Sequence, residues 1–222
     1  MGDLLKIGVL ASGTGSNFAA IADAIDSGRI NARTSILVCN RPDARVLELA
    51  ARHNVPAKLI DHRRFESREA FDAAVADALE AADVELVVMA GFDRLITAAL
   101  LQRFPMRVVN IHPALLPAFK GTNAQRQAAD YGVRVAGATV HLVDEHVDHG
   151  PIVVQAAVAI GQQDSGEEVQ KRILEVEHRI YPFAISLFAD RRLRVDGRRV
   201  LIDGCENPPG IDLINPPLPE GF

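Results

Sequence analysis

The sequence predicts an α/β protein: a doubly wound, mostly parallel sheet with flanking helices, followed by a C-terminal strand pair and a long helix. Over the first two thirds of the 222 residues, short apolar runs alternate with stretches that carry apolar residues at helical spacing. The short runs are apolar at consecutive positions, which is typical of parallel strands covered by helices on both faces. Ligands bind at the carboxyl ends of the strands in such sheets, so we expect functional residues there.

The individual elements follow from these patterns. The apolar runs predict strands at residues 6–11, 34–39, 57–60, 85–90 and 107–111. Helical spacing predicts helices at residues 17–26, 43–53, 67–82, 97–104 and 123–131. Two long strands at 134–143 and 152–160 come next, and a helix at 167–189 follows, with Ser165 as its N-cap. That helix carries apolar residues three and four positions apart, at Val169, Ile173, Val176, Ile180 and Phe183.

We expect residues 1–205 to form a single domain and residues 206–222 to form a tail. The tail carries five prolines and shows no periodicity, which predicts an extended or disordered arm.

Composition and charge narrow the class of partner. The net charge of -5 argues against nucleic acid or an anionic membrane as the main partner. The two cysteines, Cys39 and Cys205, form no disulfide framework or metal motif, which suits a reducing compartment. The apolar run at the N-terminus is too short for a signal peptide or a membrane span. We therefore predict a cytoplasmic protein, and the sequence leaves both a monomer and a homodimer open.

The first candidate site is the segment SGTGSN at residues 12–17, between the first strand and the first helix. Glycines allow a tight turn and close approach of a ligand, and exposed helix N–H groups attract an anion such as phosphate. A dinucleotide site is disfavoured because Phe18 replaces the third glycine and Asn40 stands near the end of the second strand instead of an acidic residue. The alternative is a tight turn in which Ser16 or Asn17 caps the helix.

The second candidate site is the pair Asn110 and His112 at the end of the fifth strand. Residues two apart on a strand face the same side, so both side chains project into one space. An amide beside an imidazole can stabilise an oxyanion and move a proton, as acyl transfer requires. The alternative is a capping asparagine followed by a hydrogen-bonded, partly buried histidine.

The third candidate site is the loop after the first of the two long strands. Residues 141–149 contain three histidines and three carboxylates, but their spacing matches no common metal signature, so we predict no metal. We expect Asp148 to fold back toward His112 and to raise its pKa. The chain has no Gly-x-Ser-x-Gly nucleophile elbow, which favours direct transfer over a covalent intermediate.

Together these motifs resemble the formyltransferase family that uses 10-formyltetrahydrofolate. The similarity lies in Asn-x-His-Pro at residues 110–113, in the Asp-x-Gly-Pro segment at 148–151 and in SGTGSN at 12–17. The last segment is most similar to the branch that acts on glycinamide ribonucleotide. Further similar segments follow in order at residues 67–70, 90–92, 119–121 and 177–182.

The resemblance implies transfer of the formyl group of 10-formyltetrahydrofolate to the amine of glycinamide ribonucleotide, in de novo purine biosynthesis and without a metal. It implies a phosphate-binding N-terminal half and a folate-binding C-terminal half. The residues implied to bind the ribonucleotide are Gly15, Ser16, Asn17 and Glu177. Those implied to bind the folate are Arg68, Arg94, Leu95, Ile96, Asn110 and Asp144, with Arg68 at its glutamate tail. The implied catalytic residues are Asn110, His112 and Asp148.

Two positions depart from the family's pattern. Asp93 stands where the family often has an apolar residue such as methionine. A carboxylate facing the pterin would alter folate affinity, whereas a role of the backbone alone would leave it unchanged. Asn123 stands where some members have histidine, so we assign it no proton transfer.

Other functions stay open on sequence alone. Within the family, the alternatives are a formyltetrahydrofolate hydrolase and a formyltransferase for another amine, such as charged initiator tRNA. Outside it, the alternative is a nucleotide- or folate-binding module without catalysis.

Overall fold

The computed structural model describes residues 3–205 and, beyond them, residues 214–215, 219 and 221. The chain divides into two compact units, Met1–Asn110 with Val143–Glu145, and Ile111–Leu142 with His146–Phe222. The predicted class is confirmed, with a mostly parallel sheet, flanking helices, a C-terminal antiparallel strand pair and a long helix. Among the described residues, no helix combines the length and apolar character needed to cross a membrane.

The first unit is a parallel sheet with helices between its strands. The strand order is β3-β2-β1-β4-β5, and neighbouring strands within it pair in parallel. The strands are β1 (Leu5–Ala11), β2 (Ala32–Cys39), β3 (Ala57–Leu59), β4 (Leu86–Met89) and β5 (Val108–His112), the last of which continues into the second unit. The helices are α1 (Ser16–Asp26), α2 (Val46–Arg52), α3 (Arg68–Ala81) and α4 (Ala98–Leu101), with a 3-10 turn at His62–Arg64. The strand order reverses direction between β1 and β4, which is where ligands bind in open α/β sheets.

Helix α3 shows how the sequence builds this unit. Ser67 caps the helix by accepting a hydrogen bond from Ala70 N–H at 3.0 Å. Its inward face buries Phe71, Val75 and Leu79 against the sheet core. The same face also buries Asp72, at 1% exposure, and this carboxylate lies under the loop that follows β4.

The second unit holds the antiparallel strands and the long helix. Its elements are α5 (Ala124–Tyr131), β6 (Val135–Leu142), β7 (Ile152–Ala159), α6 (Gly166–Ala189), β8 (Leu193–Asp196), β9 (Arg199–Ile202) and β10 (Ile214–Asn215). Strands β6 and β7 pair antiparallel, and β9 extends the sheet beside β7. Ser165 caps α6 in a reciprocal capping box with Glu168, as the sequence predicts.

Three elements of the structure are absent from the prediction. These are the 3-10 turn, the β8–β9 hairpin and β10, which pairs antiparallel with β7. Strand β10 lies within the segment predicted as a tail. The prediction for the rest of that tail falls outside the described residues.

Candidate active site

The turn between β1 and α1 is built around Gly15. Gly15 is the N-cap of α1 with φ 79° and ψ 20°, in the left-handed region that favours glycine. A Cβ there would lie 2.6 Å from Val46 Cγ2, so the position excludes a side chain on both grounds. No side chain caps α1, which removes the capping role considered for Ser16 and Asn17. The helix start therefore presents backbone N–H groups suited to an anion.

Ser16 and Asn17 open α1 directly after this turn. Asn17 is buried and Ser16 is half-buried. A cavity of about 550 Å³ lies beside the turn, lined on one side by Ser12, Gly13 and Thr14. Helix α2 supports the turn, because Val46 N–H donates to the Gly13 carbonyl at 3.1 Å.

The loop between β4 and α4 carries three of the residues implied to bind folate. Leu95 is 52% exposed, while Arg94 and Ile96 are half-buried. The loop is fixed at both ends. Phe92 stacks on Phe71 with ring centroids 6.3 Å apart, and Thr97 N–H donates to Asp72 Oδ2 at 2.6 Å.

Asp72 is a site-supporting residue that the sequence analysis missed. Burial raises the pKa of its carboxyl, and the hydrogen bonds from Thr97 offset only part of that effect. The sequence contained one signal for Asp72, a carboxylate at a buried position of an amphipathic helix. Such groups are rarely buried without a role.

The second unit brings His112 and Asp148 together. Asp148 Oδ2 lies 3.3 Å from His112 Nδ1, and both side chains are largely buried. The opposite ring nitrogen, Nε2, lies 2.8 Å from the Phe119 carbonyl oxygen. The expected contact between Asp148 and His112 is therefore present.

His141 is a second imidazole at the same carboxylate. Its Nε2 lies 3.7 Å from Asp148 Oδ1, and its Nδ1 lies 2.8 Å from the Leu142 carbonyl oxygen. The ring is buried at the end of β6. The sequence analysis counted His141 among the loop histidines and gave it no partner, but the structure places Asp148 between two imidazoles.

The expected direction of the His112 pKa was wrong. Burial lowers the pKa of His112 by more than the Phe119 carbonyl and Asp148 raise it, so the net shift is downward. Burial acts on Asp148 in the opposite sense and raises its pKa. The hydrogen bond from His141, the Gly121 N–H and the two imidazoles outweigh burial, and the net pKa of Asp148 is lowered. At neutral pH the site therefore holds a neutral His112 beside an ionised Asp148.

The loop that presents Asp148 is held from two sides. Gly121 N–H donates to Asp148 Oδ2 at 2.8 Å. Arg198, in the turn between β8 and β9, donates through Nη2 to the His149 carbonyl at 2.7 Å. Asp148 itself has φ 47°, a left-handed conformation that aspartate and asparagine tolerate better than most residues.

The remaining residues implied by the resemblance lie on separate elements. Arg68 is exposed as the first residue of α3, and Asn110 is half-buried on β5. Asp144 is half-buried next to Val143, whose N–H donates to the Val108 carbonyl at 2.9 Å. Glu177 is 6% exposed on α6.

Comparison with known proteins gives one consistent result. A model of the formyl transferase family matches residues 5–185. The chain is 43% identical over 181 residues to phosphoribosylglycinamide formyltransferase of Bacillus subtilis (strain 168), covering 82% of this chain and 93% of that protein. It is 39% identical over 191 residues to the trifunctional purine biosynthetic protein adenosine-3 of Gallus gallus, covering 86% of this chain and 19% of that protein.

A solved structure agrees with these relatives. The crystal structure of glycinamide ribonucleotide transformylase 1 from Symbiobacterium toebii matches with a TM-score of 0.89 and 51% identity, covering 91% of this chain and 95% of that one. Both the fold and the sequence similarity thus extend over nearly the full length of single-function relatives. The chain belongs to the formyl transferase family.

Proposed function

We propose that this protein transfers the formyl group of 10-formyltetrahydrofolate to the amine of glycinamide ribonucleotide, in the purine biosynthesis of the cytoplasm. The observation that carries the proposal is the buried His112–Asp148 pair, at 3.3 Å, in a chain 43% identical over 181 residues to a phosphoribosylglycinamide formyltransferase. Both residues come from segments through which the sequence resembles the family.

Each substrate has its own set of residues. The N–H groups at the start of α1 would hold the ribonucleotide phosphate at Gly15, Ser16 and Asn17, where a helix terminus favours an anion. Glu177 would contact the ribose or amine side of the same substrate. The residues proposed for the folate are Arg68, at its glutamate tail, and Arg94, Leu95, Ile96, Asn110 and Asp144, around its pterin and formyl group.

The reaction is a direct acyl transfer. The free amine attacks the formyl carbon, a C–N bond forms, and the carbonyl oxygen takes the electron pair as an oxyanion. Asn110 donates a hydrogen bond to this oxyanion, an interaction that strengthens as charge develops. Collapse of the oxyanion breaks the bond to the folate nitrogen, which leaves as an amine. Binding both substrates side by side supplies much of the rate.

His112 carries the proton between the two nitrogens. It is neutral at the outset, because burial lowers its pKa, so it can accept the proton that the attacking amine loses, directly or through a water molecule. Asp148 stabilises the resulting imidazolium until the proton passes to the folate nitrogen. A hydrogen-bond acceptor lies at each ring nitrogen of His112, Asp148 at Nδ1 and the Phe119 carbonyl at Nε2. One of these two contacts therefore has to break before the ring can exchange a proton with the substrates. Phe119, with its left-handed φ of 49°, is the residue we expect to move.

A single assay separates the candidate functions. The protein is incubated with 10-formyltetrahydrofolate, with and without glycinamide ribonucleotide, while tetrahydrofolate and formylated product are both quantified. We expect equimolar formation of the two products only when the amine is present. Formyl loss without the amine would identify a hydrolase. Folate binding without formyl loss under either condition would contradict the proposed function and favour a binding module or a formyltransferase for another amine.

Replacing Gly15 by alanine should raise the KM for the ribonucleotide about tenfold, with a smaller effect on the KM for the folate. The new Cβ would lie 2.6 Å from Val46 and would force the turn to shift, as overpacking does. Gly28→Ala is the matched control, because Gly28 has a similar φ of 76° but open space around a Cβ. Both variants should lose some thermal stability. An unchanged KM in Gly15→Ala would leave the turn with a purely architectural role.

Exhaustive chelation should leave activity intact. His146 and His149 are neighbouring imidazoles with ring centroids 5.1 Å apart, an arrangement that suggests a metal site. Arg198 Nη1 lies 3.2 Å from His149 Nε2, and a guanidinium at that position repels a cation. The measurement is the turnover rate before and after dialysis against EDTA. Loss of activity that one divalent ion restores would contradict the metal-free reaction.

A further inference from the structure

Asp93 connects three loops at the carboxyl edge of the parallel sheet in the first unit. Its N–H donates to Ser12 Oγ at 2.9 Å, and Ser12 N–H donates to the Gly91 carbonyl at 3.0 Å. Its carboxylate accepts a hydrogen bond from Asn40 Nδ2 at 2.9 Å and also pairs with Arg41. The loops that follow β1, β2 and β4 therefore meet at this residue.

The bond to Asn40 is the strongest of these ties. Asn40 is fully buried, and its Oδ1 has no hydrogen-bond partner among the described residues. Its Nδ2 donates to Asp93 Oδ1 at 2.9 Å and lies 3.3 Å from His62 Nδ1. A buried amide that loses a charged acceptor is costly, whereas the more exposed pair with Arg41 contributes little.

The Asp93 carboxylate stays ionised in this setting. Burial raises its pKa, but the hydrogen bonds from neighbouring side chains, Asn40 foremost, and the charge of Arg41 outweigh burial and leave the pKa lowered. Both oxygens are engaged by side chains of the loop after β2, Oδ1 by Asn40 and Oδ2 by Arg41, and the side chain is 34% exposed. An apolar residue at this position could form neither bond.

The connected loops are the ones to which the proposed function assigns substrates. Ser12 begins the turn that carries Gly15, and Asp93 directly precedes Arg94, Leu95 and Ile96. The β4–α4 loop is anchored at its ends by Phe92 on Phe71 and by Thr97 on Asp72, and Asp93 fixes the turn between those anchors.

We propose that Asp93 is a positioning residue, whose carboxylate holds the β4–α4 loop in its folate-binding form through Asn40 and Arg41, while its backbone N–H, a bond that any residue here keeps, links that loop to Ser12 in the phosphate-binding turn. The inference rests on the proposed function for the identity of the two ligands. It assigns a role in folate binding to a residue at which this chain differs from the family pattern described above.

The test compares Asp93→Met with Asp93→Asn. The methionine removes both side-chain ties, so the KM for 10-formyltetrahydrofolate should rise about tenfold, while kcat stays within about twofold because the reacting groups are untouched. The asparagine keeps an oxygen that accepts from Asn40, so its KM should stay within about twofold of wild type. Glu48→Gln, an exposed charge on α2, controls for charge alone.

Hydrogen–deuterium exchange gives a readout independent of turnover. In Asp93→Met the amides of residues 40–41 and 91–97 should exchange faster, because the lost side-chain contacts join these two loops, while those of the second unit should not change. An unaltered folate KM together with unaltered exchange would overturn the inference, as would equal damage from Asp93→Asn. Loss of thermal stability and kcat with an unchanged KM would also overturn it. Absence of formyl transfer by the wild-type protein would instead defeat the proposed function, and the exchange data would still decide whether Asp93 anchors the loops.

Discussion

Replacing Asp148 by asparagine should lower kcat by about 10²-fold or more and change the KM of either substrate little. The amide keeps the shape of the carboxylate, tolerates its φ of 47°, and can still accept from Gly121 N–H. It cannot stabilise the imidazolium that His112 becomes when it takes the proton of the attacking amine. The loss therefore falls on the transition state and not on binding.

The control for this variant is Asp130→Asn on α5. Asp130 is exposed and forms only an i,i+4 pair with Arg126, at 3.5 Å, so its replacement should leave kcat unchanged. Single-turnover rates with both substrates saturating are the appropriate measurement, because they exclude product release. A near-normal rate in Asp148→Asn would refute the assigned role.

The pH dependence provides a second check on the same pair. If neutral His112 accepts the proton, activity falls as pH drops through its pKa, which lies below the usual 6.5 because of burial. Asp148 is one of the groups that raise this pKa. Asp148→Asn should therefore move the acid limb of the pH profile of kcat to still lower pH. The maximal kcat should fall as well. A wild-type limb above pH 6.5 would show that burial does not control the group, and a limb that stays in place or moves to higher pH in Asp148→Asn would show that Asp148 does not raise the pKa of His112.

Most of the parallel half of the fold was predictable because its central strands are apolar at consecutive positions, although the edge strand β3 is exposed and carries Lys58. The segment Ile7–Ala11, for example, is fully buried and has strong β character. The β8–β9 hairpin was missed because its strands carry charged, exposed residues such as Arg194 and Arg199. Its one local signal was the dipeptide Asp196-Gly197, which spans the end of β8 and the start of the turn, where Gly197 has φ 58°. Strand β10 spans two residues and depends on pairing with β7, which no local pattern encodes.

At the candidate site, sequence reasoning found residue types but not their surroundings. Asn110 and His112 could be identified from strand periodicity, and Asp148 from the loop that follows β6. The contact between His141 and Asp148 could not be predicted from the sequence. Both faces of β6 are buried along nearly its whole length, so its residue pattern does not show toward which face His141 points. The direction of the His112 pKa was wrong because a charge partner is visible in a sequence, whereas the depth of burial is not.

Replacing Asn110 by alanine should cost about 10²-fold or more in kcat, similar to the loss expected at Asp148. An oxyanion donor acts mainly when charge develops on the formyl oxygen, so KM should again change little.

If Asn110, His112 and Asp148 act on one transition state, the Asn110→Ala/Asp148→Asn double variant should lose less than the product of the two single losses, since the second change removes assistance to a step already impaired. Asn110→Asp separates shape from donor ability: it keeps the size of the side chain but brings a negative charge toward the oxyanion, and it should be at least as damaging as alanine. Strictly multiplicative losses would show that Asn110 and Asp148 act independently, whereas a near-normal kcat in Asn110→Ala or an active Asn110→Asp would show that Asn110 does not stabilise the oxyanion.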